Sequence, residues 1–292
     1  MKVEILNLYS NESEKGSGLK NHHGQSFLIS IGKERILFDT GQKSNILFHN
    51  MNKLNISPNH ITKMVLSHGH VDHTGALPDF LDKRTKKGSL PLFAHPDFSE
   101  DKIFKMLFMK MPLGCPKLTQ SQRKKLDFQL SKQQQQIAPY LKTTGEITER
   151  NELDGLESRA LHWENNNLVV DPILDDLTLV LSAKDGEVII AGCAHSGILN
   201  ICNHVKKSTG RRIKAIIGGT HMVSYTHQQV MHVGDILENT YDLPDLYLNH
   251  CTDKMPAPFT KKTKTIDILK KRFGEEKVKK CNVGTKITFE CV

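Results

Sequence analysis

The sequence predicts a mixed α/β domain, because short apolar strands alternate with turns and helical patterns along most of its 292 residues. Two hairpin signals support this class, one formed by residues 26–31 and 35–38 and the other by 177–181 and 187–191. Strand–helix units follow each hairpin, so the chain divides into two similar halves. The length leaves ample core for one large domain, which we predict to span residues 1–292.

The first half places polar side chains directly after its strands. The strand at 35–38 runs into Asp39, and a helix is predicted near 43–54. A short strand at 61–66 then leads into a group of histidines. Residues 97–150 differ in composition, being rich in methionine and lysine, and we interpret them as a partly helical insertion that covers the site.

The second half repeats the order of apolar strand, ligand-type residue and turn. Further strands are predicted at 213–217 and 245–248, with helices at 198–207 and 265–273. Residues that can bind a metal or exchange a proton follow these strands: Cys193, His195, His221 and His250. Because α/β folds usually place their chemistry at the carboxyl ends of strands, we expect these side chains to lie close together.

The densest group of such residues is the run from Ser67 to Gly75, Ser-His-Gly-His-Val-Asp-His-Thr-Gly. It puts three imidazoles and one carboxylate within six positions, which a chance surface cluster explains poorly. Burying three neighbouring histidines would be costly unless something binds them. Imidazole nitrogens and carboxylate oxygens suit zinc, manganese or iron. The run therefore predicts a metal site at a strand end.

The formal net charge of +8 arises from 40 lysines and arginines against 32 aspartates and glutamates. Basic residues concentrate in 83–150 and in the tail from 254 to 286. The runs at 261–264 and 270–272 are most simply the solvated face of a C-terminal helix. A phosphate-bearing ligand is the next explanation. Nucleic acid comes third, because aromatic residues make up only 6% and do not interleave with the basic runs.

Membrane and secretion signals are missing from the sequence pattern. No apolar run approaches the roughly 18 residues that span a bilayer, and the N-terminal residues lack a signal-peptide core. The six cysteines include no Cys-x-x-Cys pair, so we interpret them as reduced thiols rather than as a disulfide framework. We expect a cytoplasmic protein with no membrane partner, of undetermined oligomeric state.

Together, the His-x-His-x-Asp-His motif at 68–73, the earlier Asp39-Thr40-Gly41 and the later single histidines resemble the metallo-β-lactamase superfamily. The resemblance implies an αββα four-layer sandwich that holds two divalent metal ions between its sheets. Five further motifs resemble one subgroup, that of the dihydropterin/ribofuranosylaminobenzene phosphate synthases: residues 23–26, 144–147, 192–198, 218–221 (Gly-Gly-Thr-His) and 249–252.

The resemblance implies a ligand set for each metal. His68 and His70 would hold one ion, while Asp72, His73 and His250 would hold the other. Asp39 would orient a ligating histidine through the free nitrogen of its ring.

The chain departs from the superfamily pattern at two positions. Cys193 stands where many members have a bridging aspartate, and it is either a thiolate ligand, which would favour zinc, or a small buried filler. The histidine expected before the second hairpin has one candidate, His162, which lacks the expected turn. We therefore assign the missing ligand of the first ion to His195.

Catalytic and substrate roles are assigned to four further positions. Asp72 and His221 are the predicted catalytic groups, with substrate binding, acid–base chemistry and metal ligation all open for His221. The weaker candidates for substrate contact are His23 and Arg150.

The resemblance implies a transferase that releases diphosphate from a dihydropterin and adds a ribofuranosylaminobenzene phosphate. The substrate would be a small phosphate-bearing molecule, held partly by basic residues of the insertion. Two zinc ions are favoured, with manganese or iron as alternatives. Hydrolysis of a phosphodiester, lactone or thioester by metal-activated water is the second hypothesis. The third is a nucleic-acid-processing protein, which would require binding that weakens steeply with salt.

Overall fold

The computed structural model describes residues 1–106, 108–253 and 264–292. Within these ranges the strands, in chain order, are β1 (Lys2–Tyr9), β2 (Ser26–Ile31), β3 (Glu34–Phe38), β4 (Lys63–Val65), β5 (Leu90–Ala94), β6 (Lys102–Met106), β7 (Met109–Pro112), β8 (Leu126–Leu130), β9 (Gln136–Ala138), β10 (Leu141–Thr143), β11 (Ala160–Glu164), β12 (Asn167–Val170), β13 (Leu179–Ala183), β14 (Gly186–Ala191), β15 (Ile213–Gly218), β16 (Asp245–Leu248), β17 (Val278–Lys280) and β18 (Lys286–Glu290). The α-helices of the same ranges are α1 (Ser44–Lys53), α2 (Val71–Thr74), α3 (Leu77–Lys83), α4 (Gln120–Arg123), α5 (Ile198–Thr209), α6 (His227–Tyr241) and α7 (Thr265–Phe273). Short 3₁₀ turns lie at Pro58–His60, Pro96–Ser99, Met222–Ser224 and His250–Thr252.

Two sheets form the body of the molecule, each with seven strands among the described residues. The first has the order β18-β1-β2-β3-β4-β5-β8 and the second β17-β16-β15-β14-β13-β10-β9. In each sheet a hairpin continues into parallel strands, β3 to β4 and β5 in one and β14 to β15 and β16 in the other. The two halves therefore repeat one plan, as the paired hairpin signals predict.

The apolar core divides into three layers that establish the αββα order. The central layer lies between the sheets and contains residues of both, such as Phe27 and Ile29 against Leu179 and Ile190. An outer layer packs α1 and α3 onto the first sheet. The other packs α5, α6 and α7 onto the second sheet. Burial of apolar surface on both faces of each sheet holds the four layers together.

A third sheet, which we call the capping sheet, has the order β12-β11-β6-β7 and is antiparallel throughout. It occupies part of the region predicted as a partly helical insertion. Within 97–150 the described chain contains one four-residue helix, α4, while β8 joins the first sheet and β9 and β10 join the second. Strands replace the predicted helices here because pairing with distant strands outweighs local propensity.

The C-terminal helix has its predicted bounds, since α7 spans Thr265–Phe273. Its inner face buries Ile266 and Leu269, and Arg272 pairs on its outer side with Asp235 and Glu238 at 2.6 Å each. The basic positions 261–263 of that prediction lie outside the described residues. No helix in the described ranges is both long and apolar enough to cross a bilayer.

Candidate metal centre

The ligand-type residues of both halves meet at one edge of the two sheets, where the parallel strands end. The run at 68–73 follows β4, and the candidates of the second half follow β14, β15 and β16 in turn. Two groups of their ligand atoms each lie within 4.8 Å of one another. The first, the three-histidine cluster, contains His68, His70 and His195; the second, the mixed cluster, contains Asp72, His73, Cys193 and His250.

The three-histidine cluster presents free imidazole nitrogens. The Nε2 atoms of His68, His70 and His195 are all buried and have no hydrogen-bond partner. Burying a polar atom without a hydrogen-bond partner costs free energy. Three such nitrogen atoms close together fit a bound cation. His195 Nδ1 lies 3.0 Å from the carbonyl oxygen of Gly155, to which it can donate, which leaves Nε2 with a lone pair.

Burial keeps these imidazoles neutral, as metal ligands must be. It lowers the pKa of His70 to about 4. It also lowers the pKa of His68 and of His195 well below the usual range, with the neighbouring histidines adding to the effect. A neutral ring with an unpaired nitrogen is the form that binds zinc or a similar ion.

The mixed cluster brings nitrogen, oxygen and sulfur together. His73 Nε2 lies 3.1 Å from Cys193 Sγ and 3.2 Å from His250 Nε2. His250 Nε2 in turn lies 3.2 Å from Asp72 Oδ2. Burial disfavours a charge on His73, yet Asp39 and Asp72 outweigh it and raise the pKa of His73 to about 9. The negative field responsible for this shift would equally attract a metal cation.

Asp39 has the orienting geometry expected of it. Its Oδ2 lies 2.7 Å from His73 Nδ1 and accepts the hydroxyl of Ser67 at 2.8 Å, while Oδ1 accepts the Ser67 backbone N–H at 2.8 Å. The carboxylate thus fixes the ring of His73 with Nε2 toward the cluster. Sequence reasoning missed Ser67 and also Asn11, whose Oδ1 lies 3.0 Å from His250 Nδ1.

Two adjacent carboxylates hold the backbone around the three-histidine cluster. Asp175 accepts the N–H of Gly69, between His68 and His70, and Asp176 accepts the N–H of Ser196, next to His195; both bonds are 2.8 Å. We call this pair the aspartate clamp. The Asp-Asp dipeptide before an apolar strand is the sequence signal that could have revealed it.

Lys102 ties the aspartate clamp to the capping sheet. Its ammonium lies 2.6 Å from Asp175 and 2.9 Å from Asp171, and all three side chains are buried. A buried lysine with two carboxylate partners is held in place strongly, because each charge would be costly to bury alone. The sequence-based prediction that basic residues of 97–150 contact a phosphate therefore does not hold for Lys102.

Backbone conformations around the clusters are unusual. Asp39, Ala194, His221 and His250 all have left-handed backbone, with φ of 62°, 55°, 46° and 47°. Non-glycine residues adopt this region at a cost, and such residues concentrate at functional sites. The two halves also approach closely here, since a Cβ on Gly192 would lie 2.3 Å from Ser67 Oγ.

A cavity of about 440 Å³ opens onto both clusters. The ligand-type residues that line it include His70, Asp72, Cys193, His195, His221 and Cys251. The capping sheet and its edge supply an apolar wall that includes Phe104, Met111, Pro112 and Leu113. None of the described residues that line the cavity is a lysine or an arginine.

The remaining predicted residues divide between the cavity and the scaffold. His23 and His221 both line the cavity, and His23 Nε2 lies 3.1 Å from Asp72 Oδ2. Arg150 does not line it: its guanidinium donates to the carbonyls of Ile147, Pro172 and Ile173. Each nitrogen of the guanidinium makes one of these bonds, so Arg150 holds the scaffold together, and the prediction of a substrate contact finds no support in its position.

Comparisons with known proteins agree with this architecture. The family model for the metallo-β-lactamase superfamily matches residues 20–101. The 7,8-dihydropterin-6-methyl-4-(β-D-ribofuranosyl)-aminobenzene-5′-phosphate synthase of Methanocaldococcus jannaschii is 29% identical over 265 residues, which cover 86% of this chain and 87% of the relative. An uncharacterized protein of the same organism is 28% identical over 232 residues, 79% of this chain and 84% of its own.

A solved structure shows the same fold. It is a metal-dependent hydrolase of the β-lactamase superfamily, with a TM-score of 0.77, 24% identity and coverage of 98% of both chains. Fold, ligand clusters and relatives together define a metal-dependent enzyme. Residues 20–101 match the metallo-β-lactamase superfamily, and the chain has the fold of a solved structure from that superfamily. Along most of its length the chain is homologous to the dihydropterin–ribofuranosylaminobenzene phosphate synthase.

Proposed function

We propose that the protein joins a dihydropterin to a ribofuranosylaminobenzene phosphate and releases diphosphate. The observation that carries this proposal is the cavity itself, which is lined both by candidate ligands and by an apolar wall. Such a cavity suits a flat heterocycle whose charged leaving group points toward cations. Similarity to the synthase along 86% of the chain supports the same reaction.

Two divalent ions fit the residues present, and zinc is the proposed metal. The three-histidine cluster would hold one ion, and Asp72, His73 and His250 would hold the other, with Cys193 adding a thiolate that favours zinc. Bound there, the ions would supply Lewis acidity to the departing diphosphate. The described residues that line the cavity include no lysine or arginine, and cations bound in these clusters would help to neutralise the phosphates of both substrates.

The bond changes assign tasks to the chain's own residues. The bond between the dihydropterin methyl carbon and a diphosphate oxygen breaks, with the electron pair leaving on the oxygen. The amine nitrogen of the second substrate bonds to that carbon and loses a proton. Asp72 and His23 form the cavity-lining pair that can take this proton, since their side chains lie 3.1 Å apart.

The apolar wall favours transfer over hydrolysis. Phe104 and Leu113 face the cavity from the capping sheet and its edge, and exclude water from the electrophilic carbon.

The proposed location of the protein is the cytoplasm. All six cysteines are free thiols, which is the state that a reducing compartment maintains.

The test is to incubate metal-loaded protein with dihydropterin methyl diphosphate, with and without the aminobenzene ribotide, and to measure diphosphate release. Release that depends on the second substrate supports the transferase. Release without it, or activity on a phosphodiester, lactone or thioester, would instead establish the hydrolase alternative. The His68→Ala variant serves as the metal-depleted control in every reaction.

A further inference from the structure

Two cavity-lining side chains that the proposed function leaves without a metal, His221 and Cys251, form a group with Cys193. The ligand atoms of Cys193, His221 and Cys251 lie within 4.8 Å of one another. They follow β14, β15 and β16, which are adjacent parallel strands, so the second sheet fixes their spacing. We call them the thiol cluster.

The backbone between these strand ends is built for close approach. A Cβ on Gly219 would lie 2.6 Å from both Cys251 Sγ and the Gly192 carbonyl oxygen, so a side chain there would push the cluster apart. Thr252 Oγ1 accepts the backbone N–H of Thr220 at 3.2 Å and lies 3.0 Å from its hydroxyl. These bonds tie the residue before His221 to the residue after Cys251.

Two polar atoms of the thiol cluster lack a strong hydrogen-bond partner. His221 Nδ1 is buried and has no hydrogen-bond partner. Cys251 Sγ contacts the carbonyl oxygen of Cys193 at 3.6 Å, a weak interaction for a thiol. Two sulfur atoms and one imidazole with an open side are the donor set of a catalytic-type zinc site.

We propose that Cys193, His221 and Cys251 form a third metal site, which takes a thiophilic divalent cation such as zinc and opens onto the cavity. Binding releases the two thiol protons to solvent. Cys193 Sγ also lies 3.1 Å from His73 Nε2, so its thiolate bridges this site and the mixed cluster. Of the roles open to His221, the geometry assigns it metal ligation.

The third cation has a use that rests on the proposed function. Both proposed substrates carry phosphate, whereas the described cavity lining offers Glu157 and Asp253 but no lysine or arginine. A cation in the thiol cluster would add positive charge beside the anionic groups of the substrates.

The experiment uses full-length protein loaded with zinc, freed of excess metal and analysed by mass spectrometry. We expect about three ions per chain, and about two in Cys251→Ser and in His221→Gln, because either change removes one ligand of a three-ligand site. Cys115→Ser is the matched control, since that half-buried thiol lies outside the cavity, and it should retain the full metal content.

Cobalt loading gives a readout independent of activity and of zinc count. The near-ultraviolet thiolate-to-cobalt band should lose intensity in Cys251→Ser and remain in His70→Ala, which affects the three-histidine cluster alone. Circular dichroism melting identifies any variant that has unfolded. Unchanged metal content and an unchanged band in folded Cys251→Ser would overturn the third site. That result would leave the two-metal proposal intact, whereas loss of turnover without loss of metal in His68→Ala would overturn that proposal instead.

Discussion

The two halves of the molecule build similar sheets but supply their candidate ligands differently. The first half contributes His68, His70, Asp72 and His73 from one continuous segment, which begins in the loop after β4 and runs into α2. The second half contributes residues from three separate strand ends, with sulfur among the donors. A ligand set within one segment is visible in the sequence, whereas a set spread over strand ends depends on the sheet that aligns them. The first half therefore supplies one contiguous part of the ligand set, and the second half supplies the remaining ligands from its strand ends.

The largest effect should come from the loop of the first half. In the double variant His68→Ala/His70→Ala, the three-histidine cluster keeps one ligand, and we expect loss of that ion and of all measurable turnover. Metal analysis and diphosphate release provide the measurement. His162→Ala is the control, because this half-buried histidine on β11 lies outside the cavity lining. An active double variant with full metal content would contradict the site.

The next prediction concerns the buried ion network of Lys102, Asp171 and Asp175 and its effect on the stability of the fold. Lys102→Met leaves Asp171 and Asp175 buried without their cation, and we expect the free energy of unfolding to fall by about 3–5 kcal/mol. Urea denaturation of chelator-treated protein measures it. Lys105→Met, at an exposed position of the same strand, should change it by less than about 0.5 kcal/mol. Equal effects of the two changes would refute the buried ion network.

A smaller effect is expected from the residue that orients the loop. Asp39→Asn keeps the size of the side chain but weakens the bond to His73 Nδ1, so metal affinity should fall about 10–100-fold. Competition with a chromophoric chelator gives the affinity. Asp127→Asn, on an exposed position of β8, should leave it unchanged. A normal metal affinity of Asp39→Asn would contradict the role of Asp39 in orienting His73.

The smallest effect concerns the capping sheet, which belongs to neither repeated half. Phe104→Ala removes part of the apolar wall, and we expect KM for the dihydropterin to rise about 10-fold with a smaller change in kcat. Steady-state kinetics of diphosphate release measure both constants. Phe108→Ala is matched to it, because that ring is fully exposed. A fall in kcat alone would place Phe104 outside substrate binding.

Local patterns predicted much of this structure. The hairpins, the strand ends and α7 follow from apolar periodicity, and the run at 68–73 is a metal signal within one segment. The structure also brings His195 and His250 to this edge of the sheets, although nothing local shows which cluster each would join.

Contacts between distant residues could not be predicted. Lys102 and Asp175 are 73 positions apart, and Gly69 and Asp175 are 106 apart, so no local pattern shows which residues the aspartate clamp contacts. The capping sheet was missed for the same reason. β6 and β11 pair across the first and second halves, and the methionine-rich and lysine-rich composition of β6 and β7 carries little strand signal by itself.

The position of the three-histidine cluster has a mechanical consequence for the whole chain. An ion held by His68 and His70 from one half and His195 from the other would act as a reversible cross-link between the two sheets. The three ligands come together only when the halves have docked, so the ion would bind the folded chain and not the unfolded one, which stabilises the fold by mass action. The supply of metal would then affect the stability of the fold as well as the catalytic activity.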